Sequence, residues 1–222
     1  MNVYSAIILC FIPFLTAFAL FKILVDDISV IKELIACLVG LIALIPITII
    51  QQLCGELFIF KDQAFFSLLI RALILYGLIE EGIKCATLFI FPKKNINAKQ
   101  MFFYAMLAGL FLGCFESVVY LVNSIQKASL RGGEVLLYMI YIRTFTSIVI
   151  HTFCAGLSGL FVYSVFKKKP RWSAFVYTVV IHGLYDFFWI MPKPMNLFSF
   201  VAILLLIVEC RICYVRVKES LR

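Results

Sequence analysis

The chain has 222 residues, of which 64% are apolar and 14% charged, and its formal net charge is +8 at pH 7. Several uninterrupted apolar runs reach about 20 residues, the length that an α-helix needs to cross the hydrocarbon core of a bilayer. This composition indicates a multi-pass membrane protein and excludes a sizeable soluble domain.

Seven candidate spans follow one another along the chain, each bounded by Lys, Arg, Pro or Asn. They lie at residues 3–24, 31–50, 64–91, 101–125, 147–166, 173–191 and 197–216. The first has no basic n-region and no cleavage site, so we expect a retained helix rather than a signal peptide. We therefore predict an all-α polytopic bundle of about seven transmembrane helices, with residues 1–222 forming a single transmembrane domain.

The fifth span has two interpretations, because its apolar stretch begins as early as Glu134. Residues 135–146 form either an additional interfacial helix or an extension that makes this span long and tilted.

Basic residues are unequally shared between the two sides that seven spans define. Twelve lie on one side: Lys22, Lys32, Lys93, Lys94, Lys99, Lys167, Lys168, Lys169, Arg171, Arg216, Lys218 and Arg222. Four lie on the other: Lys61, Lys127, Arg131 and Lys193. Since cytoplasmic loops carry the excess of Lys and Arg, we predict an outside N-terminus and a cytoplasmic C-terminus. The net positive charge then reflects orientation in the membrane and not nucleic-acid binding.

The third span contains ionisable residues that are costly in lipid. Glu80, Glu81 and Lys84 lie in the stretch LIEEGIKCATLFIF. On insertion scales a charged residue costs about 2.5–3.5 kcal/mol at the centre of a span. The many Leu, Ile and Phe residues of this span can offset that cost, so insertion is feasible. Ionisable residues held at such a cost are candidates for a functional site.

Three later spans carry further polar residues at similar depth. The fourth has Glu116, near Gly109 and Gly113, whose spacing lets a neighbouring helix approach closely. The fifth has His151, and the sixth has His182 and Asp186 on one helical face. With a rise of about 1.5 Å per residue, Glu80 and His182 come out near mid-membrane and the others slightly nearer the outer face. We expect one shared site, open to the outside.

This set of side chains is suited to hydrolysis. Histidine nitrogens and carboxylate oxygens are typical zinc ligands, and a catalytic zinc site keeps one position open for water. A further glutamate can then act as a general base. We predict one divalent metal, zinc being the best match, or direct activation of water by a glutamate and a histidine without metal.

Four motifs in order make the sequence resemble the PrsW family of intramembrane proteases, which is distantly related to the CAAX prenyl endopeptidase and bacteriocin-processing group. They are Glu80-Glu81-Gly82-Ile83-Lys84, Phe115-Glu116 with Tyr120, Arg143 with His151, and His182-Gly183-Leu184-Tyr185-Asp186. The match covers about residues 71–190. It departs from the family pattern at Ser117, where an Asn is expected.

The resemblance implies an endopeptidase that cleaves a membrane-anchored protein, which in the name-giving case is an anti-sigma factor. It also implies a prokaryotic plasma membrane. By analogy with the CAAX-type relatives, Glu80 activates the water, and Glu81 is its neighbour in the catalytic pair. Glu116, His151 and His182 are then metal ligands or oxyanion-stabilising groups, and Asp186 fixes the tautomer of His182.

Geometry along the helix adds two expectations about the glutamate pair. Glu80 and Glu81 are about 100° apart around the axis, so they are not expected to point at the same atom. Lys84 is one turn from both and can keep one of them ionised.

Purely structural interpretations of these residues remain open at the sequence level, as do other functions. The Glu80, Glu81 and Lys84 set can be a buried ion pair that fixes helix packing. His151 can be a helix-to-helix hydrogen bond, and Asp186 can pair with Arg143. At the level of function, the same carboxylates can serve a proton- or cation-coupled transporter, or the protein can be a non-enzymatic membrane scaffold.

Overall fold

The computed structural model describes residues 3–25, 28–57, 62–92, 94–127 and 133–220, and within these ranges it is helical with no strand. The first helices are α1 (Val3–Cys10), α2 (Ile12–Leu24), α3 (Val30–Gly55) and α4 (Phe65–Arg71). A π-helical segment (Ala72–Ile79) leads without a break into α5 (Glu80–Leu88). The remaining helices are α6 (Ala98–Lys127), α7 (Gly133–Phe145), α8 (Ser147–Phe166), α9 (Trp172–Ile190) and α10 (Phe198–Ser220), with a short 3-10 turn (Met195–Leu197) before α10.

Within the described ranges, six helical stretches are long and apolar enough to cross a membrane: Tyr4–Ile23, Val30–Gly55, Ala98–Asn123, Ile140–Phe166, Trp172–Ile190 and Met195–Arg216. They correspond to six of the seven predicted spans. The remaining predicted span, the third in chain order at residues 64–91, is helical from Phe65 to Leu88. It is divided among α4, the π segment and α5. The all-α polytopic bundle is therefore confirmed, while the exact number of spans and the orientation of the termini stay predictions.

The fifth span is interrupted at Thr146. Its backbone angles, φ −123° and ψ −81°, are not helical, so α7 ends at Phe145 and α8 begins at Ser147. The candidate span Ile140–Phe166 nevertheless includes the last turns of α7. Of the two interpretations, the structure shows a separate helix α7 that joins the span through a bend.

Helix α8 lies at the centre of the bundle, since 16 of its 20 residues are buried. Its closest neighbour is α6, and glycine makes this proximity possible. A Cβ added to Gly109 would lie 2.3 Å from the carbonyl oxygen of His151, and one added to Gly113 would lie 3.2 Å from the ring of His151. The close approach predicted from Gly109 and Gly113 is confirmed, and it brings the middle of α6 against His151.

A second close approach joins the π segment to α9. A Cβ on Gly77 would lie 2.4 Å from the carbonyl oxygen of Val179, and one on Gly183 would lie 2.8 Å from Cα of Leu73. Each helix thus presents a glycine to the other, which places His182 beside the start of α5. π-helical turns are rare and often occur at functional sites, and this one ends directly before Glu80.

Contacts at helix ends group several basic segments at one end of the bundle. The ammonium of Lys32 donates to the carbonyl oxygen of Lys94 at 3.1 Å. At the same end, the Phe89 ring contacts the Phe166 ring, directly before Lys167. This grouping agrees with the side assigned to them from the sequence. Four residues of that prediction lie outside the described residues: Lys61, Lys93, Arg131 and Arg222.

Candidate functional site

The structure brings all six predicted site residues together inside the bundle. Five of them line one cavity of about 270 Å³, at the meeting of α3, the π segment, α5, α6, α7, α8 and α9. These five are Glu80, Glu116, His151, His182 and Asp186. Glu81 lies behind the cavity wall and is fully buried.

Glu80 is buried and is contacted through both of its carboxylate oxygens. Oε1 lies 2.9 Å from Nζ of Lys84 and 3.2 Å from Nδ1 of His151. Oε2 accepts a hydrogen bond of 3.0 Å from Nε2 of Gln51, which belongs to α3. The carboxylate is therefore held in one orientation at the edge of the cavity.

Lys84 lies between the two glutamates. Its Nζ is 2.9 Å from Oε1 of Glu80, 2.8 Å from Oε1 of Glu81 and 2.8 Å from Nδ1 of His151. The expectation that Glu80 and Glu81 cannot point at the same atom is wrong. The residue three or four positions later lies on the helix surface between them, and its long side chain reaches both.

His151 contacts polar groups through both ring nitrogens. Nδ1 faces Lys84, and Nε2 contacts Oε2 of Glu116. A lysine ammonium can only donate hydrogen bonds and a carboxylate can only accept them. Nε2–H therefore donates to Glu116. Nδ1 lies 2.8 Å from the ammonium of Lys84 and 3.2 Å from Oε1 of Glu80, so it accepts from Lys84 in a neutral imidazole or donates to Glu80 in an imidazolium.

His182 is held mainly by Glu81. Its Nδ1 donates to Oε1 of Glu81 at 2.6 Å, while its Nε2 lies 3.3 Å from Oδ2 of Asp186 and 3.9 Å from Oε1 of Glu80. The shorter contact is the one that can set the tautomer, and it leaves Nε2 facing the cavity. The ring is nearly perpendicular to that of His151, with 5.0 Å between the ring centroids.

Arg143 pairs with Glu116. Its Nη2 is 3.1 Å from Oε2 of Glu116 and donates to Oγ of Ser147 at 2.8 Å, and its guanidinium lies 4.0 Å from the ring centroid of Tyr120. Arg143 thus forms an ion pair with Glu116, and not with Asp186 as one interpretation of the sequence had it.

Ser117, the position that departs from the family pattern, belongs to the same network. Its hydroxyl accepts a hydrogen bond of 3.2 Å from Nε of Arg143 and donates one of 2.8 Å to the carbonyl oxygen of Gly113. Here the serine ties Arg143 to α6.

Comparison with known families agrees with this geometry. The model of the PrsW family intramembrane metalloprotease matches residues 32–210, which is most of the chain. The chain belongs to the PrsW family. It is an intramembrane protease, and a protein substrate and a membrane environment follow from that activity. No curated protein and no solved structure matches it.

A metalloprotease of the PrsW family implies a metal, and the donor types in this site fit one. Glu80, Glu81, His151 and His182 each offer a ligand atom, and these atoms all lie within 4.8 Å of one another. Imidazole nitrogen and carboxylate oxygen are the usual ligands of zinc outside thiolate sites. The donor set is therefore chemically suited to a divalent cation.

The formal charges of the site point the same way. Four carboxylates, those of Glu80, Glu81, Glu116 and Asp186, face two cationic side chains, Lys84 and Arg143. With neutral histidines the sum of these six charges is −2, which one divalent cation would balance. Lys84 contacts three of the four clustered donors, so a cation is better accommodated on the cavity side of the histidines.

Several residues of this PrsW-family site were not predicted. The cavity is also lined by Gln51, Tyr76, Tyr185, Trp189 and Ile190. The sequence does contain a signal for Gln51, because an amide inside the apolar run IPITIIQQLC needs a hydrogen-bond partner. The aromatic residues give no such signal, since Tyr and Trp are common near the ends of any span.

Proposed function

We propose that this PrsW-family enzyme hydrolyses a peptide bond of a membrane-anchored protein, with an anti-sigma-factor-like substrate as the class that the family suggests. The observation that carries this proposal is the constellation of Glu80, His151 and His182 at one buried cavity. The cavity of about 270 Å³ has room for several water molecules beside Glu80, as a water molecule takes about 30 Å³.

Glu80 is the proposed general base. Its carboxylate lines the cavity and is held by Gln51 on one oxygen and by Lys84 on the other. In this role it takes a proton from the attacking water and passes it to the leaving amide nitrogen. The ammonium of Lys84 balances the negative charge of the buried carboxylate before the proton is transferred.

Glu116, His151 and His182 are the proposed metal ligands. They come from three different helices and all line the cavity. When bound, a divalent ion, with zinc as the best match, would supply Lewis-acid polarisation of the scissile carbonyl. Arg143 contacts the same oxygen of Glu116, Oε2, that faces His151, which helps to hold this carboxylate in place.

Glu81 and Asp186 are proposed to position His182 and not to transfer protons. Glu81 is fully buried behind the cavity wall and accepts the Nδ1–H of His182. Asp186 faces the other nitrogen of the same ring from the cavity side. Glu81 thereby fixes the tautomer of the imidazole, as carboxylates commonly do for metal-binding histidines, and Asp186 lies beside the remaining nitrogen, Nε2.

The proposed setting is the plasma membrane of a prokaryote, with the N-terminus outside, the C-terminus in the cytoplasm and the cavity towards the outer face. The unequal distribution of basic residues supports this orientation. Residues 1–222 are proposed to act as one transmembrane domain.

The test compares protein N-termini in membranes of a bacterial host that expresses the wild type, Glu80→Gln or Glu56→Gln. Glu56 is an exposed glutamate at the end of α3 and serves as the matched control. We expect new N-termini within or next to the membrane spans of host proteins for the wild type and Glu56→Gln. For Glu80→Gln we expect at least a hundredfold fewer, since a general base contributes about 10²–10⁴ to the rate. Equal cleavage by Glu80→Gln would contradict the role of this residue. No new N-termini with well-folded wild type would contradict the function.

A further inference from the structure

A polar side chain outside the four motifs reaches the proposed base from α3. Gln51 and Gln52 are neighbours near the end of this helix. Gln52 is exposed on the outside of the bundle, whereas Gln51 is half-buried and lines the cavity. Because an amide in a span needs hydrogen-bond partners, the inward one of these two residues must find them inside the protein.

Gln51 finds both partners on the segment that carries Glu80. Its Nε2 donates to Oε2 of Glu80 at 3.0 Å and to the carbonyl oxygen of Leu75 at 3.2 Å. A primary amide has two N–H groups, and these two contacts use both. The amide thus connects the carboxylate to the backbone of the π-helical segment five residues earlier.

The two oxygens of Glu80 have different partners, and this difference fixes the carboxylate. Oε1 faces Lys84 and His151, whereas the donor that contacts Oε2 is Gln51. With Gln51 in place, rotation of the carboxylate group would break a hydrogen bond on one side and an ion pair on the other. A neutral amide also has no labile proton to give, so it orients the base without neutralising it.

We infer that Gln51 is a positioning residue for Glu80. This inference rests on the proposed function, in which Glu80 is the general base. Gln51 holds the carboxylate at the orientation in which it faces the cavity, and it does so from α3, a helix that carries none of the four motifs. Its effect is therefore expected on the rate of the chemical step and not on substrate binding.

The test uses Gln51→Met and the matched control Gln52→Met, which make the same change on the inward and the outward side of one helix. Initial cleavage rates are measured against the concentration of a membrane-anchored peptide substrate taken from the N-terminus comparison above. A lost hydrogen bond to a charged group is expected to lower kcat of Gln51→Met about ten- to a hundredfold. KM is expected to change less than about twofold, because a positioning residue acts on the transition state.

Gln51→Glu is the second variant. It keeps the length of the side chain but removes both donors, so we expect it to be at least as impaired as Gln51→Met. Gln52→Met is expected to match the wild type. Wild-type kcat in Gln51→Met, or an effect confined to KM, would overturn the inference while leaving the protease function in place.

A measurement that needs no substrate separates the positioning role of Gln51 from the proposed protease function. Unfolding in detergent, followed by tryptophan fluorescence, is compared for Gln51→Met, Glu80→Met and the double variant. Interhelical hydrogen bonds in membrane proteins predict a coupling of about threefold to twentyfold in the unfolding equilibrium constant. If the wild type cleaves nothing, the proposed function fails. The comparison of these unfolding equilibria then tests by itself whether Gln51 holds Glu80. Additive effects would then show that Gln51 does not hold Glu80, and would overturn the inference.

Discussion

Lys84 is the position at which the ion network of the site can be tested most directly. Lys84 is buried, and its ammonium lies 2.9 Å and 2.8 Å from the carboxylates of Glu80 and Glu81. At an effective dielectric constant of about 20, each contact corresponds to about 6 kcal/mol of Coulomb attraction. Desolvation of the three charges offsets much of this attraction, so the gross sum is not the expected effect.

The perturbation is Lys84→Met, which keeps the approximate length of the side chain and removes its charge. Breaking a buried ion pair by removing one partner typically costs about 3–5 kcal/mol, because the remaining charge is left uncompensated. We expect this loss in the free energy of unfolding. The assay is reversible unfolding in mixed detergent micelles, followed by tryptophan fluorescence.

Two controls make the result specific for the network. Lys94→Met removes an exposed lysine and is expected to change stability by less than about 0.5 kcal/mol. In the double variant Lys84→Met with Glu81→Gln, one uncompensated carboxylate is removed, so the loss should be smaller than the sum of the single losses. If Lys84→Met were as stable as the wild type, the proposed role of Lys84 as the internal counter-ion would be refuted.

Two further predictions concern the metal and the packing of the bundle. We expect elemental mass spectrometry to find about one divalent metal per chain in the purified wild type. Glu116→Gln and His182→Ala should lose this metal. A metal-free but active wild type would argue for direct activation of water by Glu80. Gly109→Ala should lower the free energy of unfolding by about 1–3 kcal/mol or more, because its Cβ would lie 2.3 Å from a carbonyl oxygen on α8. Gly82→Ala, whose Cβ meets nothing within 4 Å, should be neutral or stabilising by up to about 1 kcal/mol, and equal losses for the two variants would contradict this packing.

The sequence alone was sufficient for the membrane class, the approximate spans and the charged members of the polar set, but not for Gln51. Span length and the presence of Glu80, Glu116 or His182 in an apolar run are local properties, so they can be read from the chain directly. The order of the four motifs was sufficient for the PrsW family, which the family comparison confirms. The roles of the individual site residues stay proposals.

The division of the third and fifth spans was not readable from composition. The π-helical segment between Ala72 and Ile79 and the bend at Thr146 both lie within runs that look like continuous apolar helices. In the π segment, the close approach of Gly77 and Gly183 to the facing backbone accompanies the altered geometry. Such contacts depend on which helices become neighbours, and no local pattern records that choice.

Tertiary structure also decided how the polar residues pair. Three pairings depend on the rotation of each helix about its axis. Lys84 contacts both glutamates. Glu81, and not Asp186, makes the short contact with His182, and Gln51 reaches Glu80. In a soluble helix the polar face would reveal this rotation, but a membrane span is apolar on nearly every side. The sequence therefore determined which groups lie in the membrane, and interhelical packing at glycine contacts determined which of them meet.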